Sequence, residues 1–207
     1  MNISHKVCIF LGLVLFVVLI CINTGVVFSR SNMKEPSFNG LSLTEWLRKY
    51  IDIEGRDAGF PDVQTNNNEC RKALSVMATN AIPFLLAWIQ AADSPIQRQT
   101  IDAINRLMPT KHRLLFATDR NQLGVLGFKL IEQKGRPAIP TLIELTKSKN
   151  PRIQFEALRC LLEVDAEDQV LTPVIKRCES DPDARIRKYA EALAVVIRFR
   201  PKANSTN

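Results

Sequence analysis

The side chains that most often carry catalysis are sparse in this chain of 207 residues, which contains two histidines and five cysteines. His112 stands between Lys111 and Arg113, and no nucleophile lies at a recognisable spacing from it. We therefore interpret His112 as a solvated histidine. No two cysteines form a C-x-x-C pair, so the spacing of a zinc site is absent and we expect no disulfide framework. The cysteines are Cys8, Cys21, Cys70, Cys160 and Cys178.

Four acidic residues fall close together at Glu163, Asp165, Glu167 and Asp168. They could bind a cation, but a Ca²⁺ loop needs a defined order of ligands, so we favour a solvated turn between two helices. The chain has no glycine-rich phosphate loop, no G-x-S-x-G and no H-E-x-x-H motif. We therefore expect a protein that is not an enzyme, with no cofactor, no metal and no small-molecule substrate.

One pattern of apolar residues occurs twice between Asp119 and Ile197 and then begins a third time. Its members recur at intervals of three and four residues, which indicates helices with one apolar face. The pattern repeats after 31 or 32 residues, and a period of this length made of two amphipathic helices is typical of an α-solenoid. The second copy contains Ala157, Leu158, Leu161, Leu162, Leu171, Val174, Ile175 and Cys178, and the third contains Tyr189, Ala190, Leu193 and Ala194.

Two junctions between the copies place a capping side chain before a proline, at Asn150-Pro151 and Asp181-Pro182. Such a pair starts a helix well, because the side chain accepts a backbone N–H and proline needs none there. The run from Asp181 to Arg187 resembles the D-P-D-x-x-V-R opening of short, bacterial-type HEAT repeats, with Gln154 at the arginine position of the preceding copy. The resemblance covers residues 68–198. It implies an all-α fold, an α-solenoid of HEAT-like helix pairs whose surface holds a protein partner.

The N-terminus is expected to be a transmembrane anchor or a signal peptide. Residues 7–28 carry no charge, and the unbroken apolar stretch from Val7 to Ile22 has 16 residues. A membrane span needs about 20 apolar residues and the core of a signal peptide about 7–15, so this length lies between the two. We favour an uncleaved single-pass anchor with the following domain outside the cytoplasm, and we expect no later segment to have an uncharged run long enough to span the membrane. The alternative is a secreted protein, because Val27 and Ser29 are tolerated before a cleavage site.

Composition and periodicity divide the chain into four parts. Ser42 and Glu45 form a capping box ahead of an amphipathic helix containing Trp46, which we expect to cover the open end of the solenoid. Residues 52–69 lack a period and are predicted to form a loop. The parts are residues 1–30, the anchor or signal peptide; 31–69, a linker with the capping helix and the loop; 70–198, the HEAT-like repeat domain; and 199–207, a polar tail.

The first helix pair of the repeat domain is predicted to turn at Thr79-Asn80. We predict an extra helix from Pro95 to Met108 after this first pair. The reason is that the second helix of the first pair and the second helix of the next pair are separated by more than one period. Every periodic segment steps by three and four, so we predict no β-sheet between residues 42 and 198.

The apolar stripes also predict the core. We expect Leu158, Leu161 and Val174 to be buried between neighbouring helices. Cys70 and Cys178 lie on stripes and should be core residues, whereas Cys160 flanks a stripe and should be partly exposed.

A binding surface follows from helix geometry. If the second helices of successive pairs lie side by side, the faces opposite their apolar stripes form one surface that changes from apolar to basic. It suits a protein partner with an apolar anchor followed by acidic residues. Alternatively, the inserted helix or the helix around Trp46 covers Phe84 and Trp88. The predicted partner-binding residues are Phe84, Trp88, Glu144, Leu145, Lys147, Lys176 and Arg177.

Charge leaves a second class of function open. The formal net charge is +7, from 28 Lys and Arg against 21 Asp and Glu, and the charges are interleaved. A basic surface could bind a polyanion, either nucleic acid or anionic lipid headgroups, although no aromatic residues are interleaved with the basic ones as nucleic-acid binding favours. An enzyme with a HEAT-like fold is the hypothesis that we favour least. The basic residues are Arg98, Arg106, Lys111, Arg113, Arg120, Lys129, Lys134 and Arg136.

Overall fold

The computed structural model describes residues 34–54, 61–109 and 113–199. The predicted anchor, His112 and the tail beyond Phe199 lie outside these residues. Within them the chain consists of helices, turns and one short hairpin, which confirms the all-α prediction except at the hairpin. The chain divides into two compact units, one containing Ala92–Phe116 and the other Glu35–Ala91 and the residues from Ala117 onward.

The hairpin consists of β1 (Ser37–Phe38) and β2 (Leu41–Ser42), which pair antiparallel across an Asn39-Gly40 turn. Asn39 has φ 48° and Gly40 has φ 80°, the left-handed conformation that two-residue hairpin turns require. Asn-Gly is a known sequence signal for such a turn. The prediction of no sheet from residue 42 onward is therefore wrong at Ser42.

Helix α1 (Leu43–Glu54) starts with the predicted capping box. The backbone N–H of Ser42 donates to Glu45 Oε2 (2.7 Å), and that of Glu45 donates to Ser42 Oγ (3.3 Å). The Ser42 N–H that donates to the carboxylate, and after it the Ser42 side chain, lower the pKa of Glu45. Trp46 is buried, and its Nε1 donates to the Phe38 carbonyl (3.0 Å), which ties the helix to the hairpin.

Helix α2 (Pro61–Ile89) is one continuous helix, so the predicted turn at Thr79-Asn80 is wrong. The predicted loop over residues 52–69 is also wrong at residues 52–54, which belong to α1, and at residues 61–69, which belong to α2. Thr79 and Asn80 are exposed. Met77 and Ala78 before them and Ala81 and Ile82 after them are buried, so the apolar stripe continues on both sides of the two polar residues. Their polar side chains favour solvent rather than a turn, and packing overrides their low helix propensity.

The unit formed around Ala92–Phe116 contains the inserted helix, α3 (Pro95–Leu107). Ser94 caps it: Gln97 N donates to Ser94 Oγ (3.2 Å) and Ser94 N to Gln97 Oε1 (2.7 Å). Proline occupies the first helical position, where it preorganises φ and no N–H is needed.

The rest of the chain forms the array of helix pairs. Asn150 caps α6 through Arg152 N (3.0 Å), as predicted. Helix α8 begins two residues later than predicted, because Asp183 rather than Asp181 accepts the Arg185 N–H (2.8 Å). The Arg185 side chain, bonded to the same carboxylate, lowers the pKa of Asp183 to about 2. The elements are α4 (Ala117–Ile131), a 3-10 helix (Glu132–Ala138), α5 (Ile139–Leu145), α6 (Pro151–Glu163), α7 (Asp168–Cys178) and α8 (Ala184–Phe199).

The first helices of successive pairs stack in chain order, α4 on α6 and α6 on α8, while α5 packs against α6 and α7 against α8. Leu158, Leu161 and Val174 are buried, as predicted. So are Cys70 and Cys178. Cys160 is also fully buried, which corrects the expectation of partial exposure; it lies on the face of α6 that α8 covers.

Among the described residues, one stretch of α2, Asn67–Ile89, has the length and composition of a membrane span. The expectation that no later segment has such a composition is therefore wrong. Leu74, Leu85 and Ile89 in this stretch are nevertheless completely buried, and α2 packs against both α1 and α4. Core helices of soluble folds have the same composition, so the composition of Asn67–Ile89 is only weak support for a second membrane span.

Candidate functional site

The seven predicted partner-binding residues lie on or next to three helices. Phe84 and Trp88 of α2 are half-buried, as is Leu145 of α5. The four charged residues are exposed on α5, on the turn after it and on α7: Glu144, Lys147, Lys176 and Arg177. Among the described residues, no hydrogen bond, ion pair or ring contact joins Phe84 or Trp88 to the other five. The structure therefore does not join the apolar and the charged residues into one surface by direct contacts.

Arg177 links two repeats. Its Nη2 donates to Thr146 Oγ1 (2.5 Å) and to the Thr146 carbonyl (3.3 Å), at the end of α5. Thr146 is completely buried, so the guanidinium satisfies a carbonyl that the helix end would otherwise leave without a partner. Arg177 thus holds α7 to α5 and is less available to a partner than the sequence suggests.

Lys176 and Lys147 supply the positive charge around this link. Lys147 Nζ lies 2.6 Å from Glu144 Oε1 in an exposed ion pair one helical turn long. Lys176 is exposed beside Arg177. The Arg177 bonds join the ends of α5 and α7, so Glu144, Lys147 and Lys176 lie at the two helix ends that this link connects.

The helix end that carries Trp88 is fixed by Asn121, a residue that sequence reasoning missed. Asn121 of α4 is completely buried, and its Nδ2 donates to the carbonyls of Trp88 (2.7 Å), Ile89 (3.2 Å) and Ala91 (3.1 Å). These carbonyls lie at and just beyond the end of α2, and that of Trp88 also accepts from the Ala91 N–H (3.0 Å). The sequence feature that could have identified Asn121 is its position as a polar residue one helical turn before Gly124, on the buried face of α4.

Two glycines let α4 approach the same end of α2. A Cβ at Gly124 would lie 2.7 Å from Ile89 Cγ2 and 3.2 Å from the Leu85 carbonyl oxygen, and one at Gly127 would overlap Leu85 Cδ2. A methyl at Gly124 would press on backbone atoms of α2, whereas one at Gly127 would meet only the Leu85 side chain. The glycines and Asn121 together make the α2–α4 crossing close and specific.

A second polar link joins the next two copies. Gln154 of α6 is 7% exposed, and its Nε2 donates to Asp181 Oδ2 (2.5 Å). Arg187 Nη1 donates to the Asp181 carbonyl (2.7 Å) on the other side. Gln154 therefore makes the inter-repeat contact from the position where the resembling repeats have arginine.

The comparison with known families agrees with this geometry. Residues 121–194 match the family model described as HEAT repeats. The match begins at Asn121 and ends in α8, so it spans the stacked first helices and both inter-repeat links. No curated protein and no solved structure matches the chain. The match and the helical structure support a HEAT-repeat protein with an α-solenoid fold.

The acidic turn between α6 and α7 is engaged by protein side chains. Asp165 has φ 53° and accepts from Arg136 Nη2 (3.1 Å) and Gln133 Nε2 (3.2 Å). Glu132 has φ 49° at the corresponding point of the preceding repeat. In the part of the chain that the structure describes, no three His, Cys, Asp or Glu side chains are placed to hold a metal ion.

Several basic residues considered for polyanion binding already contact this protein. Arg106 pairs with Asp102 (2.7 Å) and Arg136 with Asp165 (3.1 Å). Lys134 Nζ donates to the Ser75 carbonyl (3.1 Å) and to Ser75 Oγ. Lys111 lies outside the described residues. A phosphate would have to compete with these contacts, so the structure adds no support for the polyanion alternative.

The described thiols are not placed for nucleophilic chemistry. Cys70, Cys160 and Cys178 are buried, and burial raises the pKa of each, most strongly for Cys160. A thiol with a raised pKa is protonated at neutral pH and reacts poorly.

Proposed function

We propose that this protein is a non-enzymatic scaffold that binds a protein partner through the ends of α5 and α7 and is held at a membrane by its N-terminus. HEAT repeats commonly mediate protein–protein interaction, and stacked helix pairs create extended surfaces for it. The observation that carries the proposal is the link from Arg177 to Thr146, which fixes the charged residues around it in one rigid arrangement. A preorganised surface loses less entropy on binding.

The surface favours a partner with acidic side chains. Lys147 and Lys176 are exposed, while Glu144 is already paired with Lys147. An acidic group of the partner would meet Lys176 directly and could displace Glu144 from Lys147. Trp88 on α2 is half-buried and is not part of the proposed surface.

The tether rests on residues 7–28, which contain no charge. We place the HEAT repeats outside the cytoplasm behind a single-pass anchor, with secretion after cleavage as the alternative. The proposed binding surface is the same in both cases, because it lies wholly in residues 144–177.

Proximity labelling from the intact protein tests the proposal. A labelling enzyme fused to the full chain should mark a defined set of proteins at the membrane, and Lys176→Glu should remove the direct partner from that set. Lys72→Glu, a charge reversal at an exposed position on α2, is the matched control and should leave the set unchanged. If both variants label the same proteins as the wild type, the α5–α7 surface is not the binding site.

A further inference from the structure

Helix α3 is held in shape by local contacts rather than by burial. Of its residues, all of which the structure describes, only Ile101 is buried. The Ser94 capping box holds its first turn. Near its end, Asn105 accepts from the Leu114 N–H (2.7 Å) and donates to the Leu114 carbonyl (3.0 Å). The helix therefore keeps its form without using most of its apolar side chains.

The apolar side chains that α3 does not bury form one stripe. Ile96, Ala103 and Leu107 are exposed, Ile96 by 61% and Leu107 by 88%. At about 100° per residue, the three fall within about 40° of one another around the helix axis. Arg98 lies on the other side of the helix, about 160° from Ile96. A helix with an apolar stripe on one side and basic residues on the other suits the surface of a membrane.

The proposed tether keeps a membrane within reach of this helix. The fold begins at Glu35, because its Oε1 accepts the Thr44 N–H (2.6 Å). The uncharged stretch ends at Phe28, so residues 29–34 are the whole connection between the two. This connection spans at most about 20 Å when fully extended. The bilayer is thus the one partner that the tethered domain always has beside it, and contact with it is effectively intramolecular.

The charge around α3 complements an anionic bilayer. Between Pro95 and Arg113 the sequence has four basic residues and one carboxylate, that of Asp102. Arg106 pairs with Asp102 (2.7 Å), whereas Arg98 has no carboxylate partner among the described residues. Basic residues near an inserted apolar face strengthen its binding to anionic headgroups.

The contact is weak without the tether. Ile96, Ala103 and Leu107 present about nine side-chain carbons, fewer than a myristoyl chain, which by itself gives only marginal membrane binding. The helix would therefore insert while the N-terminus holds the chain at the bilayer, and a chain without its N-terminus would not stay attached through α3.

We propose that α3 is an interfacial helix, which lies in the headgroup region of the membrane that anchors the chain and inserts Ile96, Ala103 and Leu107. The proposal rests on the membrane tether of the proposed function. It adds a second point of attachment, which is separate from the α5–α7 surface and leaves that surface free for the protein partner.

Quenching from within the bilayer measures the insertion. The full chain is reconstituted into vesicles of phosphatidylcholine and phosphatidylglycerol, with an environment-sensitive fluorophore on Ile96→Cys. A quencher carried on the lipid acyl chains should remove its fluorescence, because an interfacial helix places its apolar face about 5–10 Å into the boundary of headgroups and acyl chains. The same fluorophore on Arg98→Cys should keep its fluorescence. Unsubstituted chain, labelled in the same way, gives the background from the native cysteines.

A second substitution tests the stripe as a unit. Leu107→Glu, combined with the fluorophore on Ile96→Cys, should abolish the quenching, because a carboxylate resists insertion beside the apolar residues. Val76→Glu is the matched control, since Val76 is 62% exposed on α2 and outside the stripe. It should leave the quenching unchanged.

Flotation of the same vesicles separates the two ways in which the proposal can fail. If the chain does not float with the vesicles, the tether is wrong and the interfacial helix is wrong with it. If the chain floats but the fluorophore at position 96 is quenched no more than that at position 98, the tether stands and α3 is not inserted. Quenching that Leu107→Glu leaves intact would also overturn the proposal. A fluorophore at position 96 that a protein partner covers and the bilayer does not would assign the stripe to that protein.

Discussion

Lys176 and Arg177 are neighbours in the sequence and have the same charge, but they make different contributions. Arg177 donates two hydrogen bonds to Thr146, and its planar fork suits a hydroxyl and a carbonyl at once. Lys176 has an exposed side chain on the same turn of α7. Stability should therefore depend on Arg177, and recognition on Lys176.

This division can be measured by denaturation. Arg177→Ala should lower the free energy of unfolding by about 1–3 kcal/mol, because the buried Thr146 carbonyl loses its donor while the hydroxyl keeps only its bond to the Ile143 carbonyl. Lys176→Ala should change it by less than about 0.5 kcal/mol, as is usual for an exposed position. Equal effects of the two substitutions would contradict the assignment of Arg177 as the link between repeats.

Asn121 is the second residue whose contribution depends on a specific contact. Asn121→Ala removes the side-chain donor from the Ile89 and Ala91 carbonyls and leaves the Trp88 carbonyl with only the Ala91 N–H, so it should cost about 1–3 kcal/mol. Asn121→Asp should cost more, because a carboxylate would face the same three acceptors. Gln122→Ala, at the exposed next position, is the control for urea unfolding. Unchanged stability of both Asn121 variants would show that the α2 end does not need this cap.

At the scale of the elements, the crossing of α2 and α4 depends on the absence of side chains. Gly124→Ala should destabilise more than Gly127→Ala, because the added methyl at Gly124 also approaches backbone atoms of Leu85 and Ile89. At Gly127 it meets only the Leu85 side chain, which can change rotamer. Overpacking of this kind costs about 1–3 kcal/mol, and thermal unfolding would show the order. The reverse order would mean that the helices are further apart.

The stacking of first helices predicts a larger effect in the middle of the array. Leu161 is fully buried in α6, which packs against α4, α5 and α8. Leu161→Ala should therefore cost about 2–5 kcal/mol in a denaturant titration. A loss below about 0.5 kcal/mol would show that the helical period was assigned incorrectly.

The sequence predicts these elements well where the deciding residues are close together in the chain, and poorly where they are far apart. Helices α4 to α8 follow from apolar residues three and four apart, which is a local signal. The continuity of α2 does not follow from a local signal. Thr79-Asn80 has the composition of a turn, and only packing against α1 and α4 keeps it helical. Cys160 was predicted to be partly exposed for a similar reason. It lies beside the apolar stripe of α6, and packing against α8 buries it.

The candidate site was predictable to a smaller extent. Periodicity placed Lys176 and Arg177 on an outer face of α7 correctly. It could not show that Arg177 reaches a hydroxyl 31 residues earlier, or that Asn121 holds the end of α2. Both contacts depend on how neighbouring repeats are rotated against each other, which one helix's pattern does not contain.

At the scale of the whole molecule, the tether makes a separate prediction. Deleting Met1 to Ser29 should release the protein from membranes, because α2, which has the composition of a span, packs in the core of its unit. Carbonate and high-salt extraction of the full-length and truncated chains would measure this, with circular dichroism to check that the truncated chain remains helical. Membrane association of a folded, truncated chain that resists high salt would contradict it.

The most direct test of the scaffold is the affinity of the purified full chain for its labelled partner at two ionic strengths. Lys176→Glu should weaken binding by at least about tenfold and reduce its dependence on salt, while the protein stays folded. Lys72→Glu should bind as the wild type does. If folded Lys176→Glu protein binds with wild-type affinity, the ends of α5 and α7 are not the binding surface and the central claim is wrong.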